Sequence, residues 1–145
     1  MVKKHGTLTI LIIEDDPDIQ NFTARVLELE GYHVIKASDG RAGLQIVRDN
    51  PISLVLLDLR LPELDGWAVL REMKQDAELA RIPVLVLTAI AEPTQRRRTM
   101  NMGAAQYLVK PLSVNSLSKI IAGILNQKST AAHPPSYDKV VNTKL

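Results

Sequence analysis

The chain has 145 residues, a hydrophobic fraction of 46%, a formal net charge of +2 and no cysteine. Such a length suits one ordinary domain with its own core, and the apolar content excludes an unfolded polar chain. The missing cysteines exclude disulfides, zinc–thiolate sites and thiol nucleophiles, and the small charge gives no case for nucleic acid.

No apolar run reaches the roughly 20 residues of a membrane helix, and the stretch after Lys3-Lys4 reads as a strand, not a secretory signal. No membrane contact and a cytoplasmic location are therefore expected.

Thr7 to Ile13 is a continuous apolar run, the pattern of a strand covered on both faces. Asp16-Pro17 opens a helix, with Asp as cap and Pro in the first turn. Ile19, Phe22, Val26 and Leu27 recur at helical spacing and are expected to face the core, and Gly31 ends the helix. Tyr32 to Ala37 is a second strand. Asp39-Gly40 turns the chain, and Ala42, Leu44, Ile46 and Val47 mark a second helix, which closes before Pro51. Ser53 to Leu57 is the third strand. After the Pro62–Gly66 loop, Asp65 caps a helix carrying Trp67, Val69, Leu70 and Met73. Val84 to Leu87 is the fourth strand, and Pro93 starts a helix reaching about Met102. Gln106 to Val109 is the fifth strand, and Val114 to Asn126 the last helix. The expected division is a domain over 1–126 and a mobile polar tail over 127–145.

Strand and helix alternate five times, which implies an α/β fold with a parallel sheet, right-handed crossovers and helices on both faces. In the usual doubly wound order 2-1-3-4-5, ligands bind beyond the carboxyl ends of the strands, between the first and third. The first strand ends in Glu14-Asp15, the third in Asp58, the fourth in Thr88 and the fifth in Lys110-Pro111. Three carboxylates repel one another, and one lysine is too little charge to hold them. Oxygen donors without His or Cys suit a hard divalent ion, Mg2+ above all. A carboxylate beside a cation and a lysine can attack phosphorus and become an aspartyl phosphate, with the Thr88 hydroxyl donating to a phosphoryl oxygen.

The strings Leu11-Ile12-Ile13-Glu14-Asp15-Asp16-Pro17, Leu56-Leu57-Asp58 through Pro62 to Asp65-Gly66, Leu87-Thr88-Ala89 and Tyr107-Leu108-Val109-Lys110-Pro111 resemble the receiver domain of two-component response regulators. The resemblance spans about residues 7 to 126 and implies a flavodoxin-like fold in a stand-alone, chemotaxis-regulator-like receiver. It implies that Asp58 is the phosphoacceptor, served by a sensor histidine kinase or histidine phosphotransfer protein. Glu14, Asp15, Asp58 and the main-chain carbonyl of Arg60 match the Mg2+ ligands. Thr88 and Tyr107 match the switch pair, and Lys110 the lysine that meets the phosphoryl group. The implied output partner binds the face of the fourth helix, fifth strand and fifth helix, and a dimer on phosphorylation is a further option. Ala105, Gln106 and Leu112 depart from the family's usual residues at positions that carry no chemistry.

Taken singly, these residues have plainer readings. Asp16 and Asp65 are caps, Trp67 is helix packing, and Arg96-Arg97-Arg98 is a solvated helix face, with an acidic partner as the alternative. His5, His33 and His133 are scattered and read neither as ligands nor as bases. A phosphate shuttle or sink, and a receiver fragment of a longer transcriptional regulator, stay open as alternatives. The polar tail offers no DNA-binding domain, so no direct nucleic-acid contact is expected. A dehalogenase-type hydrolase needs a second Asp where Arg60 stands. A flavin carrier needs a Ser/Thr/Gly-rich loop where Glu14-Asp15-Asp16 stands. The chain is thus expected to be a phosphoacceptor switch, not a turnover enzyme.

Overall fold

The structure is a computed structural model and describes residues 8–129. Thr7, His5, His133 and the expected tail from residue 130 lie outside the described residues. Five parallel strands, β1 (Thr9–Ile13), β2 (His33–Ala37), β3 (Leu54–Leu57), β4 (Val84–Thr88) and β5 (Gln106–Val109), form one sheet ordered β2-β1-β3-β4-β5. The expected fold class is the observed one. Ile13 pairs with both Ala37 and Leu57, so the residues after β1 and β3 leave the sheet at one level.

The helices are α1 (Pro17–Leu29), α2 (Gly40–Asp49), α3 (Gly66–Gln75), α4 (Pro93–Asn101) and α5 (Val114–Ser129). A 3₁₀ turn over Leu79–Arg81 was not anticipated. Two starts follow the sequence reading, and at a third Asp39, read only as a turn, is also the cap. The Asp16 carboxylate accepts from the amides of Asp18 and Ile19, Asp39 from that of Ala42, and Asp65 from that of Ala68. Gly31, at φ 102°, ends α1 in the left-handed region that glycine tolerates. Leu11, Ile13, Val55, Leu57, Val84 and Val86 share one core with Leu44 and Val47 of α2 and Val69, Leu70 and Met73 of α3.

α1 keeps the sequence reading at Leu27 and corrects it at Ile19, Phe22 and Val26. It buries Gln20, Thr23, Ala24 and Leu27, while Ile19, Phe22 and Leu29 are exposed and Val26 is half-buried. Phe22, the sole phenylalanine, is 61% exposed. A polar residue takes the inner face because its hydrogen bonds are met there. Gln20 Nε2 donates to the carbonyls of Glu14 (2.9 Å) and Ala37 (3.0 Å).

α4 differs from the other helices of its unit, because Thr99 is its one buried residue. The described residues from Pro111 on belong to a second compact unit. Its helix α5 buries Leu117, Ile121 and Leu125, one every turn, and runs three residues past the expected end at Asn126.

Candidate phosphoacceptor site

Main-chain hydrogen bonds continue one residue past three strand ends. The amide of Glu14 donates to Ala37 O (3.1 Å), that of Asp58 to Ile13 O (3.1 Å) and that of Lys110 to Thr88 O (2.8 Å). The sheet itself therefore fixes where these three side chains emerge. Glu14 and Asp58 are buried, whereas Asp15 is exposed. One carboxylate oxygen from each of the three lies within 4.8 Å of the others.

Lys110 Nζ donates to Glu14 Oε1 (2.8 Å) and to Asp58 Oδ2 (3.1 Å). The second oxygen of each acid is also engaged. Glu14 Oε2 accepts from the Asp16 amide (3.0 Å), and Asp58 Oδ1 from the Arg60 amide (3.2 Å). Burial pushes the Glu14 carboxyl above its ordinary range, against the Lys110 and Asp16 hydrogen bonds, and the Asp58 charge adds to the push. Burial works against the Lys110 ammonium, yet Glu14 and Asp58 outweigh it and hold its pKa above the usual lysine value. One ammonium thus bridges two carboxylates, and a third has an oxygen within 4.8 Å of theirs. The donor set is all oxygen, two members are held in place, and Asp15 is open to solvent, which fits a hard divalent cation that keeps several waters.

Thr88 is fully buried at the end of β4, and its Oγ1 accepts a long hydrogen bond from the Ile90 amide (3.4 Å). The Tyr107 ring is buried, and its hydroxyl donates to Ile90 O (2.8 Å). Burial, with the nearby Glu92 charge, raises the Tyr107 pKa. Thr88 and Tyr107 therefore meet at the Ile90 backbone, a junction the sequence reading missed because main-chain partners leave no residue-type signal. Arg60 is exposed in the loop after Asp58, and its amide is the group in contact with the acid.

Two further contributors escaped the sequence reading. Gln20 pins the Glu14 and Ala37 carbonyls from α1. Gly66 lies so close to the Asp58 and Leu59 backbone that a Cβ would meet the Asp58 carbonyl oxygen and sit 2.6 Å from Leu59 Cα. Trp67, read as helix packing, also uses its indole N–H, donating to Thr99 Oγ1 at 2.9 Å. No helix among the described residues is long and apolar enough to cross a membrane.

The family model for the response regulator receiver domain matches residues 10–122. The DNA-binding dual master transcriptional regulator RpaA of Synechocystis is 33% identical over 133 residues, which is 92% of this chain and 55% of that protein. A probable transcriptional regulator, ycf27, of Porphyra purpurea is 36% identical over 118 residues, 81% of this chain and 47% of its own length. The chain spans about half the length of these curated relatives. Among solved structures, a CheY-like response regulator receiver domain protein of Methanospirillum hungatei superposes with a TM-score of 0.82 at 27% identity. That match covers 87% of this chain and 99% of the other.

Proposed function

The chain belongs to the receiver-domain family of two-component response regulators, and from that premise we propose that it is a phosphoacceptor switch with Asp58 as the acceptor. The observation that carries the assignment is the bridge of Lys110 between the buried Glu14 and Asp58 at the sheet's switch point. One Asp58 carboxylate oxygen attacks the phosphorus of a phosphohistidine, the P–N bond breaks, and the imidazole nitrogen keeps the electron pair. Lys110 then moves its charge from the free carboxylate to the phosphoryl oxygens. The Thr88 hydroxyl turns from Ile90 toward the same group as a donor. Tyr107, whose ring already lies inward, completes the switch pair.

Mg2+ is the proposed cofactor, held by Glu14, Asp15, Asp58 and the Arg60 carbonyl, and it supplies charge neutralisation at the transferring group. Asp15 is the direct ligand of the acidic pair, since it is exposed and both oxygens of Glu14 already have protein partners.

The proposed donor is a sensor histidine kinase or a histidine phosphotransfer protein. The outward apolar stripe Ile19, Phe22, Val26 and Leu29 begins one turn from Asp15, and it suits a partner helix docked beside the acids. The proposed output partner meets α4 and β5. A second reading, that the chain is the receiver part of a longer transcriptional regulator, is supported by relatives about twice as long as their matched regions.

Incubation with acetyl phosphate, with and without Mg2+, followed by intact-mass spectrometry tests the assignment. Wild type should gain one phosphoryl group only with Mg2+, and Asp58→Ala should gain none. Full labelling of Asp58→Ala would overturn the acceptor assignment. A labelled chain that passes its phosphoryl group to an added histidine phosphotransfer protein would identify the shuttle reading.

A further inference from the structure

Most helices are held by an apolar stripe pressed into a core. α4 has none. Its sequence is Pro-Thr-Gln-Arg-Arg-Arg-Thr-Met-Asn, and it buries only Thr99. What meets that residue comes from α3. Trp67 Nε1 donates to Thr99 Oγ1 at 2.9 Å, and the Arg98 guanidinium lies over the Trp67 ring, 4.6 Å from its centre. The hydroxyl proton of Thr99 goes to Gln95 O at 2.7 Å, which leaves its oxygen free to accept the indole N–H. Arg98 is steadied in turn by donating to Gln95 Oε1 at 3.3 Å. One indole thus engages two consecutive residues of a helix that has little else buried.

The other end of this contact is the phosphoacceptor loop. Trp67 follows Gly66, whose amide donates to Leu59 O at 2.9 Å and whose Cα has no room for a methyl group against the Asp58 carbonyl. Any displacement of the Asp58–Leu59 backbone must therefore move the first turn of α3, and with it the indole. We propose that Trp67 is a latch: a positioning residue that anchors α4 and carries displacements of the Asp58 loop to it. With the latch broken, α4 opens as a unit while the sheet stays closed. The transmission half rests on the reading of Asp58 as phosphoacceptor; the anchoring half does not.

Hydrogen exchange of the full chain, followed by mass spectrometry, tests both halves. In the unphosphorylated protein, Thr99→Val and Trp67→Phe should each speed exchange of the α4 amides roughly tenfold, the loss of about one net hydrogen bond, without changing the sheet. Thr99→Ser keeps the hydroxyl and should restore wild-type exchange. Emission from Trp67, the sole tryptophan, should shift to the red in Thr99→Val. Unchanged α4 exchange in both variants, or equal acceleration of every element, would overturn the anchor. Phosphorylation of wild type with acetyl phosphate and Mg2+ should change α4 exchange, and the change should shrink severalfold in Thr99→Val. An equal change in both proteins would overturn the transmission. If intact mass shows that wild type takes up no phosphoryl group, the Asp58 reading fails, and the unphosphorylated comparison still decides the anchor.

Discussion

At the carboxyl end of the sheet, two buried carboxylates share one ammonium, whereas α4 exposes three consecutive arginines and buries one threonine. The first region stores electrostatic energy in groups the backbone holds in place. The second is a polar helix fixed through a few side-chain contacts. A charge added at the first region acts strongly because water is scarce there. The second costs little to move because little apolar surface is buried under it. A switch needs both: a site where one phosphoryl group matters, and an element that yields to it.

The strongest way to break this contrast is to remove the shared cation. Lys110→Met leaves Glu14 and Asp58 buried without a counter-ion, and should destabilise the metal-free protein by about 3–5 kcal/mol in urea titration. Asp58→Ala leaves Lys110 paired with Glu14 and should cost clearly less. Equal costs would mean that the pair is solvated and that the contrast with α4 is false.

A smaller effect is expected where the two regions join. Gly66→Ala forces a methyl group against the Asp58 carbonyl and Leu59, both backbone and slow to yield, and should cost about 1–3 kcal/mol. Gly123→Ala in α5 meets nothing within 4 Å and should instead stabilise by about 0.5–1 kcal/mol. If Gly66→Ala were as benign as Gly123→Ala, the tight seam between the acceptor loop and α3 would be absent. Trp67 would then have nothing to transmit.

pH sharpens the same comparison with a subtler effect. The Glu14 pKa is raised in the folded state, chiefly by burial. A raised pKa means that the folded protein holds the proton more tightly than the unfolded chain. The stability this confers is present below the unfolded carboxyl pKa and is lost as pH rises through the folded value. Metal-free wild type should therefore lose stability relative to Glu14→Gln as pH climbs from the acid side toward neutrality. A melting-temperature difference between the two that stays flat over that range would contradict the burial cost. No such dependence is expected from α4, which carries no titrating acid within Pro93–Asn101.

The legible parts of the molecule were those in which one residue type has one main use. Continuous Leu, Ile and Val runs marked the strands, and Asp16 and Asp65 marked helix starts through a short-range hydrogen bond. The acids and Lys110 stood out because such groups rarely end buried strands. α1 misled because periodicity reveals that a helix has an apolar face, not where that face points. Gln20 found two carbonyls inside and so turned Phe22 outward. Trp67 and Thr99 were opaque for another reason. They are 32 residues apart, and nothing in either segment announces the other.

The smallest expected effects test the outward face of α1. Phe22→Ala and Leu29→Ala remove side chains that are 61% and 71% exposed, and each should change stability by less than about 0.5 kcal/mol. Leu27→Ala, fully buried on the opposite face, should cost about 2–5 kcal/mol. Arg97→Ala on α4 should be as silent as Phe22→Ala, since both side chains are exposed. The two silent changes should then part company in a transfer assay. Phe22→Ala should slow phosphoryl transfer from a kinase without slowing labelling by acetyl phosphate, because only the kinase needs a surface to dock on. Arg97→Ala should slow neither. Equal slowing of both donors by Phe22→Ala would place its effect inside the acceptor site, and α1 would be framework, not a docking surface.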